Sequence, residues 1–168
     1  MFEIGDHVVY PYHGAGTITD KVERTILGKE ETYVVLTFPM NQMTIMLPEE
    51  KLQASGIRSV ITLDKVQELI EHSLTLKPAQ EFSRRDINDK HDKMKSGCIF
   101  DCTTIYTELM LKKKHSPDKL HIEERKQLDF ARQLLKSELD FVEGLSSDEI
   151  EEFLSMQNRE DTSELPSS

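Results

Sequence analysis

The residues best suited to chemistry form one run, Glu81-Phe82-Ser83-Arg84-Arg85-Asp86-Ile87. It sets an aromatic ring beside two guanidiniums at the expected start of a helix. Ser83, with Asp86 three residues later, fits a Ser-x-x-acid capping box. The free backbone N–H groups of a first helical turn favour an anion such as a phosphate. Two arginines there add charge in a fork geometry that matches a phosphate. An apolar ring ahead of such a cluster suits a wedge between bases in a minor groove. The same spacing has a purely structural reading. Phe82 precedes the cap and Ile87 falls at the fourth helical position, the two halves of a hydrophobic staple. On spacing alone the staple is the simpler of the two.

Other constellations are weaker. Gly14-Ala15-Gly16 begins like a phosphate loop, but neither full glycine pattern continues after it, so the glycines are expected to serve a bend. His91, Cys98 and Cys102 suggest zinc only loosely. Ser96-Gly97 separates His91 from the cysteines and no fourth ligand recommends itself, whereas a metal site needs ligand count and spacing together. Cysteines in an apolar helical stripe are usually core. The remaining histidines, His7, His13, His72, His115 and His121, are scattered, and no carboxylate pair or nucleophile motif stands out. No metal, no cofactor and no enzymatic activity are expected.

The remaining signal is basic. Arg84, Arg85, Lys90, Lys93 and Lys95 lie on or near one helix, and Arg125 and Lys126 on another. Asp86, Asp89, Asp92, Glu123 and Glu124 are interleaved with them, so a solvated surface is the default. Any DNA contact there is expected to be weak, salt-sensitive and limited to a few phosphates. Nothing offers readout of a major groove.

The elements that must position these residues differ between the two halves. Residues 6–10 and 14–27 are strand-like, interrupted by Pro11 and the glycine bend. Thr32–Phe38 is the strongest strand, flanked by turns at 28–31 and 39–42, and Met43–Leu47 returns before Pro48. Short β-branched strands between tight turns predict a small antiparallel Tudor/SH3-like barrel with an open edge for another protein's strand. Helices begin after about residue 61. Thr62 is placed to cap the first, and Lys77-Pro78 to end it as a hinge between the halves. A polar helix over about 83–95 follows, then a stripe of Cys98, Cys102, Ile105, Tyr106, Leu109 and Met110 closed by Lys112-Lys113-Lys114-His115. That charge suits a helix C-terminus without any DNA. A long amphipathic helix over about 122–143, with Gly144 at its C′ position, should form the centre of the helical core. Ser146 to Glu149 reads as a further capping box opening a short last helix. The expected class is α+β in two domains, residues 1–60 and 61–156, with an acidic disordered tail over 157–168.

The 168 residues carry a net charge of −10, which argues against coating nucleic acid wholesale. The charge is uneven. Residues 77–136 hold 14 basic and 10 acidic side chains, whereas residues 137–168 hold 1 and 10. The start, Met1-Phe2-Glu3-Ile4-Gly5-Asp6, lacks the basic and apolar regions of a secretory signal, and no run approaches a membrane span. Two cysteines on one helix make a poor disulfide framework, so a reducing cytoplasm and no membrane partner are expected.

Three stretches resemble the bacterial CarD/CdnL family. Phe2–Gly14 is similar to its opening, Tyr33–Pro48 to its second signature, and Phe82-Ser83-Arg84-Arg85 to a junction where its members usually have Trp before Ser/Asn-Arg-Arg. The helical remainder agrees in pattern, including Ala131-Arg132-Gln133-Leu134-Leu135, over roughly residues 1–155. The resemblance implies a Tudor-like domain docked on the RNA polymerase β subunit. It implies a helical domain that touches promoter DNA at the upstream edge of the melted bubble, without a base code. Phe82 is then the minor-groove wedge that slows collapse of the open complex. Arg84 and Arg85 become phosphate contacts with help from Arg125 and Lys126, and Ser83 and Lys90 complete that set. Arg24, Ile26 and Met46 fall at polymerase-docking positions. The free chain is expected to be a monomer, associated with the nucleoid through the polymerase. Phe82 departs from the usual tryptophan and loses the indole N–H. Met46 and Ile87 stand where basic residues are common. The DNA half is therefore expected to be weaker than in relatives, or tuned to other promoters. The rival reading is a protein–protein adaptor that binds polymerase and never engages DNA.

Overall fold

A computed structural model describes residues 2–155. The expected tail over 157–168 lies outside the described residues. The front half is one antiparallel sheet of β1 (His7–Tyr10), β2 (Gly14–Ile26), β3 (Lys29–Phe38), β4 (Met43–Pro48) and β5 (Arg58–Ser59), in the order β4-β3-β2-β1-β5. The order is linear, so β4 and β5 each present one outer edge. Alternation along β2 and β3 sends Ile18, Val34, Leu36 and Phe38 to one face, where they close a core with Val8, Leu52 and Ile57. A bulge between Ile18 and Asp20 in β2 keeps the solvent face of the long hairpin in register beyond it.

The hairpin turn is tighter than the sequence suggests. Ile26 pairs with Lys29, so Leu27-Gly28 alone makes the turn, with φ of 55° and 77°. Two positive φ values define the type I′ geometry that matches strand twist. Gly28 adopts it freely, but a bulky side chain there is strained. Leu27 is fully exposed as well.

The back half consists of α1 (Leu63–Leu74), α2 (Arg84–Lys95), α3 (Ile99–His115), α4 (Ile122–Leu139) and α5 (Ser147–Ser155). Leu128, Ala131, Leu135 and Leu139 of α4 pack on Cys102, Ile105, Tyr106 and Leu109 of α3, closed by Val66 and Leu69 of α1 and Ile150 and Leu154 of α5. The Tyr106 hydroxyl donates to the Leu154 carbonyl, which satisfies a buried polar group and ties α5 to α3. Ser146 and Glu149 form their box in both directions, at 3.1 and 3.2 Å.

Three local expectations are corrected. Thr62 precedes α1, but its side chain makes no capping bond. Cys98 is the exposed residue before α3 rather than part of its buried stripe. Helix α4 stops at Leu139, short of Gly144. There Phe141 N–H and Val142 N–H donate to Glu138 and Leu139 carbonyls, a tightening to three-residue spacing. The tightened turn stacks Phe141 on His7 of β1, with ring centroids 4.4 Å apart.

The halves meet along α4 rather than at Lys77-Pro78, which lies between α1 and α2 inside the helical half. Arg58 of β5 donates from Nη1 and Nη2 to the two Glu138 carboxylate oxygens at 2.7 Å each, and also donates to the Gly97 carbonyl. Ser137 accepts from Ala15 N–H at 3.1 Å, and a Cβ on Gly14 would lie 2.8 Å from the Ser137 hydroxyl. The glycine bend is thus a point of close approach between sheet and helix.

Candidate nucleic-acid interface

Phe82 lies on the segment joining α1 to α2, and α3 pins that segment. Ala79 N–H donates to the Glu108 carbonyl at 3.0 Å, and Lys112 Nζ donates to the Gln80 carbonyl at 3.1 Å. Ser83 then caps α2, its hydroxyl accepting from Asp86 N–H at 3.1 Å. Ile87 turns inward and is buried, and its carbonyl accepts from the Gln127 side chain at 2.7 Å, which joins α2 to α4. The Phe82 ring is half-buried and stacks on His121, with centroids 3.8 Å apart and planes 10° apart. His121 is the N-cap of α4. The ring therefore bridges the first turns of two helices.

Both partners of the stack hang from one buried ion pair. Lys112 Nζ contacts both Glu124 carboxylate oxygens at 2.9 Å. Glu124 in turn accepts from His121 N–H at 3.0 Å, completing the α4 capping box. A line of hydrogen bonds thus runs from Gln80 through Lys112 and Glu124 to His121. The sequence reading placed Lys112 in the terminal charge of its helix and missed this role. The Glu124 signal was present, three residues after a capping position, but a histidine cap is not among the common ones.

Arg84, Arg85, Arg125 and Lys126 are exposed at those first turns. The two helix N-termini bridged by the half-buried ring thus carry four exposed cations in their first turns. Lys90 does not join them. Its side chain is buried, with the ammonium 2.9 Å from Asp86 one turn earlier. It therefore drops out of the residues expected to contact DNA. A groove of about 460 Å³ borders the ring, lined by Pro78, Lys112, His115 and Lys119 among others.

The positions expected to dock polymerase lie elsewhere, on the solvent face of the sheet. Arg24 pairs with Glu31, Ile26 with Lys29 and Met46 with Val35. Two-residue alternation puts all three on the face opposite the core, together with Tyr33. Ile26 and Met46 are 48% and 39% exposed, unusually open for apolar strand residues, and Leu27 extends the patch at the hairpin tip. Met46 is on β4, one of the sheet's two edge strands.

Other chemistry finds little support. Burial pushes the Cys102 thiol up to about 12, so it is neutral and unreactive. Among the described residues no group of three or more His, Cys, Asp or Glu is arranged to hold a metal, and no helix is long and apolar enough to cross a membrane.

Residues 2–61 match the family model described as CarD-like/TRCF RID domain, and residues 65–155 match that described as CarD, C-terminal domain. YdeB of Bacillus subtilis (strain 168), which carries a transcription-factor name, is 34% identical over 156 residues, covering 91% of this chain and 99% of that protein. The solution structure of the 72-residue N-terminal domain of Myxococcus xanthus CarD is 29% identical and covers 35% of this chain and 79% of its own, at a TM-score of 0.31. The two domain matches follow one another along nearly the whole chain, and the Bacillus relative aligns over nearly all of both proteins. On those matches the chain belongs to the CarD/CdnL family.

Proposed function

We propose that this transcription regulator docks on the RNA polymerase β subunit and stabilises the promoter open complex through Phe82. Its family supports action on transcription through RNA polymerase. The observation that carries the DNA half is the half-buried Phe82 ring held between two helix N-termini that carry Arg84, Arg85, Arg125 and Lys126. The ring is partly buried against His121 and lies outside the buried helical core, which leaves part of it accessible to DNA. The four cations position the chain on phosphates and carry no base code. The ring fills the gap at the upstream edge of the bubble. The solvent face around Arg24, Ile26, Leu27 and Met46 makes the polymerase contact. Docking raises the local concentration of a DNA surface too weak to act alone.

Base–aromatic stacking is worth about 1–3 kcal/mol. Phe82→Ala should therefore shorten open-complex lifetime roughly fivefold or more while polymerase binding is retained. Phe82→Trp should keep or lengthen it. Dissociation of a defined promoter complex under competitor challenge reads both variants. An alanine variant with unchanged lifetime, or a footprint that leaves the upstream bubble edge unprotected, would favour an adaptor that never touches DNA.

A further inference from the structure

We propose that His121 is a positioning residue for the Phe82 wedge, an inference that rests on the wedge reading. The histidine is held from three directions. Its backbone N–H donates to Glu124, its Nδ1 lies 3.1 Å from Glu123 N–H, and its ring face lies against Phe82. Because the donor to Nδ1 is a backbone N–H, that nitrogen accepts, and the neutral ring carries its proton on Nε2. The cap thus fixes the plane of the imidazole, and the imidazole fixes the plane of the phenyl ring.

This matters because the phenyl ring has no polar handle of its own. A tryptophan at this position brings an indole N–H and a larger face. Phe82 has no hydrogen bond to limit its rotamers, and an unrestrained ring would lose that freedom on entering DNA. Restricting it beforehand reduces that loss. The Lys112–Glu124 pair fixes the backbone on both sides, through Gln80 and through His121, so the pair of rings is presented as one unit. One phenyl face is covered by His121, and the ring still borders the open groove toward Pro78 and Lys119.

Two substitutions separate this role from simple helix capping. His121→Asn keeps a good cap acceptor and removes the ring. His121→Tyr keeps a flat aromatic face and removes the acceptor from capping distance. If His121 positions the wedge, the Asn variant shortens open-complex lifetime about two- to tenfold, and the Tyr variant retains most of it. The Asn change should then add nothing to Phe82→Ala. If His121 is only a cap, the Asn variant behaves like wild type and the Tyr variant loses function, which overturns the proposal. His121→Ser, a second ring-free cap, repeats the Asn arm should Asn fold poorly. The free protein supplies a test without DNA. The ring current of Phe82 should shift the His121 ring-proton resonances, and Phe82→Leu should abolish that shift. A missing shift, or a Phe82→Ala effect without the Asn–Tyr split, overturns the role of His121 alone. An unchanged lifetime in Phe82→Ala overturns the wedge, and the positioning role with it, even where the ring-current shift is present.

Discussion

A phenyl ring offers no hydrogen bond, so Phe82 is oriented only by what its faces and its backbone touch. That is why the local sequence singles out the residue as a candidate but does not show its setting. Ser83, Arg84 and Arg85 follow it directly, and a cap followed by cations is legible at short range. His121 is distant along the chain and reads as one of several scattered histidines. Burial sorts the two cysteines in the same way. Cys98 is exposed at the start of α3, whereas Cys102 is buried, with its thiol pushed to about 12, first by desolvation and then by Cys98 and Glu138. A thiol reagent at mildly alkaline pH should therefore modify one thiol of the native protein quickly. The second should react only as fast as the chain unfolds, and peptide mapping identifies which is which. The sign of the pH dependence follows. The folded state favours the neutral Cys102 thiol, so its contribution is intact below the ordinary value of 9.0 and is lost as pH rises through about 12. Rapid double labelling of the folded chain would show that α3 opens far more readily than its packing implies.

Helices α2 and α4 are set in place by polar contacts between elements rather than by apolar stripes alone. The Lys112–Glu124 pair is the central one, with side chains only 8% and 2% exposed. Removing one partner of such a pair leaves a buried charge, at about 3–5 kcal/mol. Lys112→Met should cost about that much in chemical denaturation. Adding Glu124→Gln should recover most of the loss, because a neutral amide still accepts from His121 N–H. If the double variant is no more stable than Lys112→Met, the loss comes from packing and not from the stranded carboxylate. Helix existence itself was legible, because apolar spacing and the Ser83 and Ser146 caps are local signals. The end of α4 was not, since it depends on Phe141 meeting His7 in the other half of the chain. The Leu27-Gly28 turn was displaced for a related reason. Cross-strand register fixed it, and a leucine in a positive-φ turn has no propensity signal to announce it. Charge patterning alone does not separate Lys90, a buried lysine paired with an exposed aspartate, from a phosphate contact.

At the scale of the molecule, the sheet and the helices are fastened by Arg58 and Glu138, far from the Lys77-Pro78 link expected to be the hinge. The pair is bidentate and asymmetric, with Arg58 33% and Glu138 4% exposed. Burial alone would lower the guanidinium's pKa, but hydrogen bonding and charge from Glu138 outweigh it and raise it, so the ion pair is firmly held. Glu138 also accepts from Ile61 N–H at 2.9 Å, just where the sheet hands over to the first helix. Aromatic contacts also join the halves, His7 with Phe141 and Tyr12 with His91 and Phe130. In the proposed mechanism this joint sets the distance between the polymerase-facing side of the sheet and Phe82. A docked tether raises local concentration only where its geometry reaches the target. The asymmetry makes a definite prediction. Arg58→Ala leaves the more deeply buried Glu138 carboxylate without its cation and should cost about 3–5 kcal/mol, whereas Glu138→Ala leaves a guanidinium that is already one-third exposed and should cost less. Thermal unfolding gives the order, and small-angle scattering of the folded fraction reports whether the halves separate. Arg58→Ala should also shorten open-complex lifetime at conditions where the chain remains folded, although Phe82 and the docking face are untouched. A variant whose halves separate in solution yet whose lifetime equals wild type would mean that polymerase and DNA, not this joint, set the spacing.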